Sequence, residues 1–428
     1  MKDALPTSLI EVQKLRVGMF VHLDVGWMAH PFPLSSFKIS SPDQIATIRG
    51  LGKARVRWSP DKSDPDTAAE PAAASAVPVA GSDIGISLET PQAAEARRHR
   101  EALAAARSRL TLCERQFAEA TKACRQATEA AVSRPDEART TAEALSRAFV
   151  DKMLGDEEMC IRLLTEAAGD KASHHAVNVA VISLLMGRTF GLTEDDMMDV
   201  GVGSLMHDIG KLELPERVRH REEHFTVAET QFYQEHVAHG VTLARKMGLQ
   251  PGATLVIAQH HEHADGSGFP LKLNSDRMTT AARIVSLVNR YDNMCNPHVP
   301  SRALTPHEAL SLLFAQGKNR YDTAILGAFI RMMGVYPPGS TVQLTDDRYA
   351  LVMSVNSTRP LKPTVLVHDP RTPRDEALLL NLEADSRLGI RRSLKPQALP
   401  PDAIAYLSPR PRVSYFFEPN VTTEDSVA

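Results

Sequence analysis

Cysteine is scarce and scattered. Cys113, Cys124, Cys160 and Cys295 form no CxxC pair and no dense framework in 428 residues, which argues against thiolate-held structural zinc and suits a reducing compartment. No run of eighteen apolar residues occurs, and MKDALPTSLIEVQKL lacks the charged-then-apolar layout of a signal peptide, so the chain reads as cytoplasmic, without membrane insertion. Neither sign of charge is in excess. With 49 Lys+Arg against 52 Asp+Glu the formal net charge is -3, and no basic field is available to hold nucleic acid.

Histidine is what stands out. Ten of the 16 (His174, His175, His207, His220, His224, His236, His239, His260, His261, His263) fall between 174 and 263, where an even spread would place roughly three. That window is expected to hold the chemistry.

The length suggests two or three domains. Residues 1–60 carry short apolar groups (Val17 to Val21, Phe32 to Phe37, Ala54 to Trp58) split by Gly and Pro, the pattern of a small β-rich N-terminal domain closed by the VRW strand. Residues 61–92, rich in Ala, Pro, Ser and Asp, bury too little to offset their ordering entropy and read as a flexible linker. Residues 93–170 read as a helical connector. Its first part, Ala93 to Ala131, has the composition of a long exposed helix, which suits either a solvated rod or a homodimer contact. Pro135 interrupts it, and a second helix is expected over Ala138 to Ala168.

From 171 to 335 helical runs dominate: Val177 to Phe190, Asp195 to Ile209, Thr226 to Met247, Ala253 to His261, Thr279 to Asn293, Pro306 to Phe314 and Ala324 to Met332. Residues 336–428 then change to short β-branched runs (TVQLTD, RYALVMSVN, PTVLVHD). The expected fold class is therefore mainly α, a helical bundle with a small β-rich domain before it and a small β extension after it.

Within the bundle the histidines come in order. His174-His175 head one helix. His207-Asp208 sit in SLMHDIGKLELP, where an adjacent imidazole and carboxylate suit a two-metal site, one ligating and the other able to bridge. His236 lies four residues after Phe232, which would place both on one helical face. His260-His261 end a helix ahead of the Gly-rich turn in QHHEHADGSGFP. A lone His on an apolar helix is more often a hydrogen-bonded core residue. The ordered series H, HD, H, HH over four helices is seldom assembled by chance, and such a mixed His/Asp set fits Fe, Mn, Zn or Ni better than Mg or Ca.

HDIGK at 207–211, the helix with His236 and Gly240, HHEHADGSGFP at 260–270 and the spacing to His175 together resemble the HD-GYP family, the bacterial branch of the HD phosphohydrolases, over about Lys171 to Met333. The head of the chain, LIEVQKLRVGMFVHLDVGW, resembles the small domain that often precedes this catalytic domain. The resemblance implies an HD-type bundle and hydrolysis of cyclic di-GMP. It implies two divalent ions, with a third in some members, Fe or Mn, held by His175, His207, His236, His260 and His261 and bridged by Asp208. Lys211 would sit over the substrate phosphate. The loop with Gly266, Gly268, Phe269 and Pro270 would border the substrate pocket and contact diguanylate cyclase (GGDEF) domains as partners. His263 and Lys272 are candidates for phosphate or guanine contact, or plain surface residues. Phe269 stands where the family's signature Tyr would be and lacks its hydroxyl.

A further departure is ARIVSLVNRYDNMCNP, where Asn289 takes the place of the family's acidic ligand; an amide binds a cation more weakly, and Asp292, one turn on, is the candidate substitute. The upstream Glu of three-metal members has no assigned counterpart, Glu143 and Asp151 being the nearest by distance. A water bridging two cations has its pKa lowered toward about 7. The hydroxide so formed would attack the phosphodiester in line, giving pGpG and, on further cutting, GMP. The alternatives are an HD-GYP-like receptor that binds cyclic di-GMP or a cyclase without turnover, and an HD hydrolase of another nucleotide. Of the remaining histidines, His174, His220, His224 and His239 are expected at the surface or behind the ligands.

Overall fold

In this computed structural model the residues described are 8–23, 36–39, 41–50, 53–64, 91–154, 159–164, 170–220, 225–317, 319–356, 359–377, 379–384 and 387–419. Two compact units divide the chain at residue 100.

The first unit follows from alternation along short strands. β1 (Ser8–Glu11), β2 (Phe20–His22), β3 (Ser36–Lys38) and β4 (Arg55–Ser59) form an antiparallel sheet in the order β1-β4-β2-β3. The VRW strand is β4. A helix not anticipated from the sequence, α1 (Pro42–Gly50), turns Ile45 and Ile48 onto Val21, Ile39 and Val56. Its weak apolar stripe explains the omission. Of the expected linker at 61–92, residues 65–90 lie outside those described.

The second unit is mainly α. α2 (Pro91–Ala130) spans 40 residues, but it is not an exposed rod: Cys113, Phe117, Ala120, Cys124 and Ala127 are buried. They recur at spacings of three and four, so they form one inward seam of small residues around the bulky Phe117. Pro135 starts α3 (Pro135–Met153) at a position where a missing N–H costs nothing. The helix expected to run to Ala168 stops at Met153. Met159–Leu163 is instead a strand, β5, buried at all five positions. A short apolar run does not distinguish a buried helix from a buried strand, and the partners that decide it lie some 200 residues later.

The bundle proper contains α4 (Lys171–Thr189), α5 (Glu194–Met206), α6 (Val227–Gln234), α7 (His236–Met247), α8 (Pro251–Gln259), α9 (Thr280–Cys295), α10 (Pro306–Gln316) and α11 (Thr323–Met333). Side-chain caps begin many of these: Asp170 on α4, Thr193 on α5, capping boxes Thr226/Glu229 on α6 and Thr305/Glu308 on α10. The expected single helix over Thr226 to Met247 is two, broken at Glu235. Phe232 and His236 therefore do not share a face; the first is 40% exposed and the second fully buried.

After the bundle come β6 (Thr341–Leu344), β7 (Tyr349–Asn356), β8 (Thr364–Val367), β9 (Leu379–Asn381), β10 (Ile390–Leu394), α12 (Pro401–Leu407) and β11 (Tyr415–Pro419). The sheet runs β10-β6-β7-β5-β11, with β8 also on β7 and β9 on β8. β5 thus lies between β7 and the last strand. The buried pair Arg162–Glu418 closes the β5–β11 ladder. Among the described residues no helix is long and apolar enough to cross a membrane.

Candidate metal centre

Three of the histidines are set by one local device. His207 caps the C-terminus of α5 and donates Nδ1–H to the Ser204 carbonyl at 2.7 Å; His260 does the same at the end of α8 to Ile257 at 2.8 Å. His236, placed by the break at Glu235, donates to Tyr233 in the last turn of α6 at 2.5 Å. Carbonyls near a helix C-terminus lack intrahelical donors, and each imidazole supplies one. A carbonyl only accepts, so the proton is on Nδ1 and the Nε2 lone pair faces inward. His175, in the second turn of α4, is held similarly, Nδ1 to Asp292 Oδ2 at 2.6 Å.

These nitrogens converge on Asp208, at the start of the 3-10 turn Ile209–Glu213. Its Oδ1 is 3.6 Å from Nε2 of both His236 and His260. Its Oδ2 is 3.4 Å from His207 Nε2 and 4.0 Å from His175 Nε2. Two donor sets result, Asp208/His236/His260/His261 and His175/His207/Asp208, each with its ligand atoms within 4.8 Å of one another. Asp208 is common to both.

Electrostatics suits cations. Burial holds His207 below its ordinary pKa, His236 down to about 3 and His261 well below the imidazole range. Burial would raise the Asp208 carboxyl, but Lys211 and His207 outweigh it and keep it well below the usual value. These donors are therefore in their ligating forms. The Nε2 atoms pair at 3.2 Å (His175–His207) and 3.3 Å (His236–His260), lone pair toward lone pair, and buried Asp208 Oδ1 and His261 Nε2 have no hydrogen-bond partner among the described residues. Two nitrogens each about 2.0–2.1 Å from one ion stand about 3.0–3.4 Å apart. The donor set fits two divalent metals.

Around the donors, Gly210 fixes how closely the HDIGK turn meets α7: a Cβ there would lie 1.9 Å from the His236 carbonyl oxygen and 2.3 Å from Gly240 N. Lys211 Nζ reaches Asp208 Oδ2 at 2.6 Å and lies over the Tyr233 ring. The loop after His261 folds back on itself. A Cβ on Gly268 would be 2.5 Å from the Glu262 and His263 backbone, and Phe269 stacks on His261 with centroids 4.5 Å apart. Gly266 takes a positive φ of 75°, and the Phe269–Pro270 bond is cis.

Other candidates stand elsewhere. His263 hydrogen-bonds Ser267 at 3.0 Å on the outer side of the loop, and Lys272 is exposed. Asn289 is buried with its amide oxygen accepting from Asn293 at 2.6 Å. Asp292 does not join the donors: Oδ2 is taken by His175, and Oδ1 accepts from Asn178 at 2.8 Å and Asn296 at 2.9 Å. Glu143 and Asp151 of α3 fall in neither donor set. His174, expected at the surface or behind the ligands, is a core residue, bonded to Ser414 at 2.6 Å. His224 lies outside the described residues. The sequence reading missed Glu262. It is fully buried and accepts from Leu271 N at 2.6 Å and Leu273 N at 2.9 Å, pinning the loop. An acidic residue between His261 and His263 was the available signal.

Residues 158–325 match the model of the HD domain, and residues 8–142 that of a domain of unknown function (DUF3391). A relative from Pseudomonas aeruginosa, cyclic di-GMP phosphodiesterase PA4108, is 25% identical over 374 residues, covering 84% of each chain. The 3'3'-cGAMP-specific phosphodiesterase 2 of Vibrio cholerae is 30% identical over 129 residues, 30% of this chain and 25% of that protein. The solved structure of Bd1817, a HDG"Y"P protein from Bdellovibrio bacteriovorus, is 13% identical with a TM-score of 0.43 over 76% of this chain and 98% of that one, too slight a likeness to argue from. The two donor sets that meet on Asp208 lie inside residues 158–325, the segment that matches the HD domain.

Proposed function

We propose that the chain is a metal-dependent phosphodiesterase that opens cyclic di-GMP to pGpG and cuts on to GMP. The observation that carries the proposal is Asp208, whose two oxygens face two separate histidine sets. Two divalent ions bound there, Fe or Mn, supply the charge that acidifies a water and polarises the phosphoryl group. The chain's own residues do the rest. His207, His236 and His261 stay neutral, and His175 and His260 are held in orientation by their Nδ1 bonds. The Lys211 ammonium, kept charged by Asp208, faces the nonbridging oxygens as negative charge builds on them. Phe269, with Gly266, Gly268 and Pro270, walls the pocket on the His261 side, while His263 and Lys272 border the dinucleotide further out. On this reading the protein works in the cytoplasm, residues 1–60 are an input domain, and the loop at 266–270 is where a GGDEF partner docks. A homodimer uses the exposed face of α2, since its other face is buried.

A second reading has one observation in its favour. Asn289 is neutral and turned to Asn293, leaving the His175/His207 set with no acidic donor beyond the shared Asp208 among the described residues, as in a receptor that binds without turnover. The test is cyclic di-GMP hydrolysis by anaerobically purified protein loaded with Mn(II) or Fe(II), alongside His207→Ala and Asn289→Asp, with 3'3'-cGAMP as competing substrate. Hydrolysis lost in His207→Ala and raised in Asn289→Asp supports the enzyme. Binding without hydrolysis in all forms supports the receptor, and preference for 3'3'-cGAMP replaces the substrate.

A further inference from the structure

The ligand His175 is oriented from an unexpected distance in the sequence. Asp292, whose Oδ2 accepts from His175 Nδ1, is gripped at Oδ1 by the side-chain amides of Asn178 and Asn296. Both amides also donate to one backbone oxygen, that of Val413, at 3.0 and 2.9 Å. The return bonds are made too: Val413 N donates to Asn296 Oδ1 and Tyr415 N to Asn178 Oδ1, both at 3.0 Å. Each amide thus uses both donors and its acceptor, with no freedom left to rotate. Asn178 and Asp292 are wholly buried, so a lost bond leaves a polar group unsatisfied rather than hydrated.

We propose that the segment Val413–Tyr415, entering β11, is a positioning element of the metal centre, holding Asp292 against His175 through Asn178 and Asn296. An imidazole whose Nδ1 partner is fixed has its tautomer and ring plane fixed, and the loss of such a partner weakens metal affinity by about 10–100-fold. Linkage makes the coupling reciprocal: what the strand does for metal binding, metal binding does for the strand. The C-terminal sheet is then a place from which the site can be adjusted without contact with substrate. Asn178 and Asn296 act through Asp292 and touch no substrate. The inference rests on the cluster being a metal centre, but not on the identity of the substrate.

The experiment titrates the metal-free full chain with Mn(II) alone, comparing wild type, Asn296→Ala and Ser414→Ala. It also follows hydrogen exchange at residues 413–415 with and without Mn(II). Asn296 is only half-buried, so its variant is expected to fold. Ser414 lies on the same segment but bonds His174, not the asparagines, and serves as the control for a general loosening. Asn296→Ala weakens Mn(II) binding about 10–100-fold, Ser414→Ala by less than about threefold, and Mn(II) slows exchange at Val413 and Tyr415 in wild type. Equal affinity in wild type and Asn296→Ala, equal weakening in both variants, exchange indifferent to metal, or no Mn(II) binding by wild type each overturns the proposal. Cyclic di-GMP hydrolysis separates the two readings: its absence with the coupling intact removes the enzyme assignment alone, and its presence with no coupling removes the strand's role alone.

Discussion

The Nε2 atoms of His236 and His260 face each other at 3.3 Å, each imidazole having already given its Nδ1–H to a backbone carbonyl. Two lone pairs at that distance are relieved by a shared cation. Chelation is therefore expected to lower the melting temperature, and Mn(II) at about 100 times its Kd to restore about 2.7 kcal/mol of stability. Asp208→Asn, which weakens the shared ligand of both sets, shows much less of that rise in differential scanning fluorimetry. A wild-type melting curve unchanged by Mn(II) contradicts the metal centre.

Acid should act on the same residues. Burial depresses His207, His261 and His236, the last to about 3, against about 6.5 in an unfolded chain. The folded state then holds fewer protons than the unfolded one, so the contribution of neutral imidazoles is full above about pH 6.5 and is lost as pH falls toward about 3. Melting of the metal-free protein measured from pH 7.5 down to 5 is expected to fall steadily below about 6.5, and a flat profile counts against it.

Lys211→Met removes a charge but keeps much of the stem. The loss of one donor to developing oxyanion charge typically costs about 100–1000-fold in kcat. Metal content by elemental analysis should stay at the wild-type value, since Lys211 donates to Asp208 and ligates nothing. Unaltered kcat would remove Lys211 from the reaction.

Glu262→Gln tests the loop anchor. An amide oxygen replaces one of two acceptors, so one of the Leu271 and Leu273 N–H groups is left facing a donor, costing about 1–3 kcal/mol. Because Phe269 hangs from that loop, KM for the dinucleotide should rise more than kcat falls, with metal affinity held. Steady-state kinetics together with chemical denaturation checks both parts.

Gly210→Ala should be the most damaging small change in the HDIGK turn. Its methyl would meet backbone, not a flexible side chain, and backbone has no cheap way to yield. Expression is expected to shift to insoluble protein, or to a chain that retains helix but binds no Mn(II). A soluble variant with wild-type melting would show that α7 can back away.

Much of the site was legible in the sequence. His207 and Asp208 are adjacent, His260 and His261 are adjacent, and the helices that carry them announce themselves by apolar periodicity. What stayed hidden depends on partners distant in the chain. The role of Asn178 rests on Val413, so no local pattern marks it, and Asp292 reads as a possible ligand until its two oxygens are seen to be occupied. β5 failed for the same reason, since Met159, Cys160, Ile161 and Leu163 become a strand only once β7 and β11 exist to pair with them. The break at Glu235 escaped notice because the residues on either side are all tolerated in helices; it is the Tyr233 carbonyl, needing a donor, that gives the break its use.

The pairing of β5 with β11 sets an order of events during synthesis. Arg162 and Glu418 are 256 positions apart, and at about 5–20 residues per second β5 waits on the order of ten seconds or more for its last neighbour to be made. Until then a strand that is apolar but for Arg162 has one edge open to other nascent chains. A premature stop anywhere before residue 413 would leave that edge uncovered even with every histidine in place, so truncated forms of this protein should be found in aggregates rather than as weakened enzymes.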